Sequence, residues 1–289
     1  MFNWHKKEKP LQGLTGLGGG IVSRTLGGGA TPITASGGTE STPGDGFKYH
    51  VYEYNSPGPF NVTDGAGEVQ IMLQGGGGGG QGGGGFGGNP GPSFWPGKGG
   101  GGGATGVFTI SKLGPGNHTI SVGGPGPSAG GVSGGSPGSD GFGGTGGDTT
   151  FTPSDSSGVL TAGGGTGSGG GGGNSNTVPG ATLTLNRGGG GGQSLPNTPR
   201  RPGGAGGDAG GVPESAPLWW RSYISPGAGG TGSNLPFDTG TQTPATAGSN
   251  YGGGGGGGRG GFPLPNGFAS ATPSAAGGQG RAVVRYLAP

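Results

Sequence analysis

The chain is 289 residues long, with 91 glycines, 26 prolines, only 9% charged residues and a formal net charge of +2. That composition excludes an ordinary helix-and-sheet domain, since typical soluble domains hold roughly 7% glycine and about 25% charged residues. The small net charge gives no ground for binding nucleic acid or an acidic membrane surface, and the lack of cysteine excludes disulfides and thiolate metal sites.

Residues 1–45 read as an extended arm, with a basic-aromatic start that includes Phe2, Trp4, Lys6 and Lys7 followed by glycine spacers. No apolar run long enough for a signal peptide follows the basic start, and no stretch approaches a membrane span, so the expectation is cytoplasmic synthesis without a secretion step. From Phe47 the character changes. Phe47-Lys48-Tyr49-His50-Val51-Tyr52-Glu53-Tyr54 alternates and is rich in aromatic and β-branched residues, which predicts a strand. Asn55-Ser56-Pro57-Gly58-Pro59 predicts a turn and Phe60-Asn61-Val62 a short return strand.

A second strand is predicted over 68–74, running straight into polyglycine. The pair 107–111 and 118–122, joined by Gly114-Pro115-Gly116-Asn117, predicts a hairpin. Shorter strands are predicted over 149–152, 158–161 and 181–185, and a closing strand over 281–286. The strand around Ile71 is expected to pair with the one around Val284, because each has the strongest apolar β signal and an edge to satisfy. No segment carries sustained helical periodicity.

Glycine and proline enrichment without a period ordinarily signals disorder, because glycine loses the most backbone entropy on folding and has no side chain to bury. Collagen requires glycine at every third position, and the unbroken runs at 75–80 and 252–258 together with the glycine-free stretch 47–57 exclude it. A different lattice remains: glycine runs in the left-handed, three-residue-per-turn conformation, packed side by side. That helix has no internal hydrogen bonds, so each N–H and C=O must pair laterally. Without a Cβ, backbones can approach on every side. The expected fold class is therefore mainly β with packed polyglycine, polyproline-II-like helices and long ordered loops, with little or no α-helix.

The motifs of chemistry are weak. Pro96-Gly97-Lys98-Gly99 has neither the hydroxyl nor the following helix of a phosphate loop. Arg187-Gly188-Gly189 and Arg259-Gly260-Gly261 are too few for the repeated cationic contacts of glycine-arginine RNA binders, and are read as ends of glycine runs. Asp64, Glu68, Asp148 and Asp155 show no spacing that implies a paired acid and base. The expectation is no enzyme, no catalytic residue, no cofactor and no metal. The aromatics Phe94, Trp95, Trp219, Trp220 and Tyr223 stand in glycine and proline surroundings. They are either fillers between glycine layers or contact residues on a rigid scaffold, where aromatics give large area at low entropy cost. Phe237, Tyr251 and Phe262 are weaker candidates of the same kind.

The order of blocks resembles a family. Val69-Gln70-Ile71-Met72-Leu73-Gln74 leads into four glycines, and Ile120-Ser121-Val122 leads into Gly123-Gly124-Pro125-Gly126. Gly146-Gly147-Asp148-Thr149-Thr150-Phe151, Leu160-Thr161-Ala162-Gly163-Gly164-Gly165 and the closing Gly277-Gly278-Gln279-Gly280-Arg281-Ala282-Val283-Val284-Arg285-Tyr286 complete it. This looks like the glycine-rich domain of phage tail-fibre and virion proteins, and is similar to the polyglycine-helix adhesins of T-even-like long tail fibres. The resemblance covers about 46–287 and departs from the family over about 186–277, an expanded region with Leu218-Trp219-Trp220-Arg221-Ser222-Tyr223. The arm resembles the short basic-aromatic starts of some phage virion proteins.

What the resemblance implies is a virion structural protein. Arm 1–45 would anchor it to other virion proteins through Phe2, Trp4, Lys6 and Lys7, and body 46–287 would bind a host cell-surface protein or glycan reversibly. Several copies per particle, a trimer among the arrangements, would act at the host surface, with no nucleic acid and no membrane insertion. The alternative is a structural component that binds no receptor, in the collar, the baseplate or as capsid decoration.

Overall fold

A computed structural model describes residues 32–86, 93–130, 132–133, 141–156, 158–193, 203–210, 223, 227–233, 243–249, 251–258, 262–264, 267–269 and 272–288. All of these fall within one compact unit, Thr31–Pro289. The anchoring candidates Phe2, Trp4, Lys6 and Lys7 lie outside the described residues.

One antiparallel sheet has the order β1 (Thr34–Ser36), β4 (Gly58–Asp64), β9 (Gly116–Ser121), β11 (Thr149–Thr152), β12 (Leu160–Ala162) and β13 (Asn174–Asn176). The other has the order β14 (Ala181–Arg187), β8 (Thr105–Leu113), β5 (Gly67–Gln74), β17 (Arg281–Leu287), β3 (Phe47–Glu53) and β2 (Thr39–Ser41). Alternation buries one face of each sheet against the other. Phe60, Val62, Ile120, Phe151 and Leu160 from the first meet Tyr52, Ile71, Leu73, Phe108, Val284 and Tyr286 from the second. The expected pairing of the second and closing strands is present, with Val284 opposite Ile71 on one side and His50 on the other.

Two expected pairings do not form. β8 and β9 belong to different sheets, and so do β3 and β4, so the chain at 114–115 and at 54–57 crosses the sandwich and closes no hairpin. Alternation is the same for a hairpin and for a crossing. The core decides, because β9 must place Ile120 inward from the first sheet while β8 places Phe108 inward from the second. The strands also begin at Thr34, ahead of the boundary expected at residue 46, because β1 pairs with β4 and β2 with β3.

Beyond the strand ends the glycine runs pack into a bundle, in the conformation expected of them. Every N–H over 75–83 donates sideways, with N···O distances of 2.8–3.1 Å. Gly75, Gly78 and Gln81 donate to Ala104, Gly101 and Lys98. Gly76, Gly79 and Gly82 donate to Gly147, Gly144 and Gly141, and Gly77, Gly80 and Gly83 to Gly278, Ala275 and Thr272. Each partner repeats every third residue, as a three-residue turn demands, and all three partner runs are antiparallel. Carbonyls of 75–83 accept from three more runs through Gly126, Gly165 and Gly255. Run 75–83 thus has six neighbours, and the same census gives six each for 97–104 and 252–258.

These three interior runs explain their own composition. A Cβ on Gly77 would lie 2.0 Å from the Gly253 carbonyl oxygen, one on Gly101 1.8 Å from that of Gly170, and one on Gly254 2.1 Å from that of Gly100. No side chain fits such spaces. Four outer runs carry a side chain at every third, outward position instead: Phe142, Thr145 and Asp148; Ala205 and Asp208; Ala228 and Thr231; Pro273, Ala276 and Gln279. Several of these satisfy N–H groups that no neighbouring run reaches. Asp148 Oδ1 accepts from Gly164 and Asp208 Oδ1 from Gly229, both at 2.8 Å, and Thr246 Oγ1 accepts from Thr231 at 2.7 Å.

Candidate interaction end of the glycine bundle

The direction of each run fixes where its ends lie. Runs 75–83, 123–130, 163–166, 188–193, 227–233 and 252–258 lead away from the sandwich, and 97–104, 141–148, 170–173, 203–210, 243–249 and 272–280 lead back. The far ends are bonded to one another. Gln81 donates to Lys98, Gly82 to Gly141, Gly83 to Thr272, Gly97 to Gly258, Gly99 to Gln193 and Gly203 to Ser233, with N···O distances of 2.8–3.1 Å. Besides the tight turn at 167–169, five longer connections therefore leave and re-enter the bundle at one end, opposite the β-sandwich.

Short strands stand at that end. β6 (Gly84–Phe86) pairs with β7 (Ser93–Trp95) antiparallel and with β10 (Val132–Ser133) in parallel, giving a three-stranded sheet in the order β10-β6-β7. β15 (Phe262–Leu264) and β16 (Gly267–Ala269) pair antiparallel. Phe94 and Trp95 are thus strand residues, Phe94 opposite Gly85 and Trp95 opposite Gly84, although their sequence surroundings gave no strand signal. The connecting sequences depart from the glycine pattern: they include Leu195, Leu235, Phe237, Phe262, Leu264 and Phe268, with Arg200, Arg201 and Arg259. The sequence signal was available, since these apolar residues fall where the glycine runs stop.

Of the remaining candidates, Phe262 opens β15 at this end. Trp219 and Trp220 lie outside the described residues, as does Phe237. Tyr223 packs on the outer face of the second sheet, its ring stacked on Tyr49 at 4.7 Å between centroids and its hydroxyl 2.6 Å from Ser41 Oγ. Arg281 Nη1 donates to its carbonyl oxygen at 2.7 Å. Burial pushes the Tyr49 pKa up to about 12, so that hydroxyl stays protonated and donates to Asp45. Tyr223 is held within a half-buried cluster on the second sheet. Comparison of the chain with protein-family models and with curated proteins finds no match.

Both histidines of the body, and Asp64 and Asp148, have hydrogen-bond partners within it. His118 accepts from the Ser154 N–H through Nδ1 at 3.1 Å, and its Nε2 lies 3.1 Å from the Gly114 carbonyl oxygen. His50 Nδ1 lies 2.7 Å from the Gly37 carbonyl oxygen. Both rings are buried in the sandwich, and desolvation lowers both pKa values. Asp64 accepts from the Gly65 N–H, and Asp148 from Gly164 as described. Among the described residues no three His, Asp or Glu side chains converge as metal ligands would.

Proposed function

We propose that this chain is a bacteriophage virion structural protein, most simply a tail-fibre or adhesin component that binds the host surface reversibly. One observation carries the reading: the antiparallel runs of the bundle deliver five connections, unlike the runs in composition, to a single end remote from the sandwich. A lattice in which every N–H over 75–83 is bonded is stiff, so it serves as a spacer that holds those connections in a fixed relation. Preorganised contact segments bind at lower entropic cost than mobile ones, and several copies on one particle raise avidity further. Segment 1–31 is the part of this proposal that joins the particle, through Phe2, Trp4, Lys6 and Lys7.

The test is placement on the particle. Fab fragments raised against 259–271 should decorate the outer end of a fibre in electron micrographs of intact phage, and should block adsorption to its host. Decoration at the collar, baseplate or capsid with adsorption intact would favour the purely structural role.

A further inference from the structure

The bundle has an open lattice position near its sandwich end. Run 272–280 is flanked by 123–130, through Gly277 N–H to the Gly126 carbonyl, and by 243–249, through Gly248 N–H to the Ala276 carbonyl, both at 3.0 Å. Among the described residues no hydrogen bond joins the two flanking runs to each other. Between them lies a groove of about 480 Å³, with Gly277 and Gly278 as floor, Pro125 and Gly248 as walls, and Tyr251 and Gln279 facing it. That size falls within the range of small-molecule sites, about 300–1,000 Å³.

The polar groups around the groove are fixed in advance. The Tyr251 hydroxyl donates to Glu53 Oε1 at 3.0 Å, and the Arg281 guanidinium carbon stands 4.5 Å over its ring. Arg281 Nη2 also meets Glu53 Oε1, at 3.1 Å, and Gln279 Nε2 lies 3.5 Å from Glu53 Oε2. Burial raises the Tyr251 pKa, which the Arg281 charge opposes, so the ring presents a neutral phenol. Tyr54, 44% exposed, lies against Gly124, the residue before Pro125, and adds a second aromatic beside the groove.

We infer that this groove is a binding site for a neutral saccharide, with the Tyr251 ring as stacking platform and the Gln279 amide and glycine carbonyls as hydrogen-bonding groups. The chemistry of the lining selects the class. None of the lining residues is charged, and the nearby Glu53 and Arg281 pair with each other, so an ionic ligand gains nothing. Pro125 and the Tyr251 ring are the apolar side chains of the lining, too few for an aliphatic ligand. A further polyglycine strand would need a wall free of side chains, as at 75–80, and Pro125, Tyr251 and Gln279 break that wall. A pyranose offers an apolar C–H face to the aromatic ring and hydroxyls to the amide and carbonyls. The site lies at the opposite end from the proposed host-contact segments and does not depend on that reading.

Calorimetric titration of the full chain tests it, with maltohexaose, cellohexaose and chitohexaose as neutral probes, heparin and polygalacturonate as charged ones, and heptaglycine as the peptide. At least one neutral hexasaccharide should bind, and Gln279→Ala and Tyr251→Ala should each weaken that binding at least tenfold, the first with an unchanged melting temperature. The inference is overturned if no neutral probe binds, if a charged saccharide or heptaglycine binds more tightly, or if Gln279→Ala leaves the affinity unchanged.

Discussion

Replacing Gly255 with valine places a branched side chain at the centre of an interior run. A Cβ there lies 2.0 Å from the Ala275 carbonyl oxygen and 2.6 Å from that of Ala276, both backbone atoms that cannot rotate aside. Run 272–280 must then move outward. That movement breaks or stretches Ala275 N–H to Gly256 O, Gly80 N–H to Ala275 O and Gly248 N–H to Ala276 O, now 2.9, 2.9 and 3.0 Å. Each bond contributes about 0.5–1.5 kcal/mol net, and overpacking costs about 1–3 kcal/mol more. The variant should lose about 3–6 kcal/mol, which for a domain of this size lowers the melting temperature by roughly 10 °C. Gly173→Val is the matched control, since nothing lies within 4 Å of a Cβ at that position. There the change should be neutral, or stabilising by a few tenths of a kcal/mol to about 1 kcal/mol through the unfolded chain. Scanning calorimetry of the three proteins side by side gives the answer. Small and equal shifts at both positions would refute the lattice argument.

Further outcomes follow from the same packing. Val284→Asp puts a carboxylate between β5 and β3 in a core with no solvent exposure; circular dichroism should show the body unfolded, at a cost of about 3–5 kcal/mol for an unpaired buried charge. Lowering the pH should destabilise the sandwich: His50 and His118 have folded pKa values below the ordinary 6.5, so the unfolded chain binds more protons. Stability is therefore full above pH about 6.5 and falls as the pH drops through that value toward the depressed folded ones; a melting temperature constant from pH 7.5 to 5 would contradict the buried neutral rings. Deleting 1–12 should leave the melting temperature unchanged and abolish incorporation into virions, as measured by blotting purified particles; normal incorporation would exclude the arm as anchor.

Much of this architecture was legible in the residues. The aromatic and β-branched residues over 47–54, 68–74 and 281–286 placed three central strands, and the pairing of the second with the closing one, because runs so rich in such residues carry a strand signal even when both faces are buried. Unbroken glycine gave the lattice, and a finer signal lay beside it: a side chain at every third position, as at Phe142, Thr145 and Asp148, marks a run at the surface, whereas unbroken glycine serves both the interior, at 75–80 and 252–258, and the surface, at 188–192. The crossings after β3 and β8 were not legible, since Gly114-Pro115-Gly116 serves equally for a hairpin and for a passage between sheets, and only the shared core chooses. Nor were β6, β7 and β10, which at two or three residues each are too short to show alternation and are brought together by the ends of the glycine runs. The groove at Tyr251 depends on which runs are neighbours, information that no local pattern contains.

The most direct test of the lattice is native-state hydrogen exchange of the amides over 75–83 and 252–258, read by mass spectrometry of overlapping peptides. Every N–H of 75–83 has a lateral carbonyl partner, so these peptides should exchange only by global unfolding, as slowly as those of β5 and β17. Exchange at the rate of an unstructured chain, with the strands still protected, would show that the glycine runs are linkers and that no bundle exists.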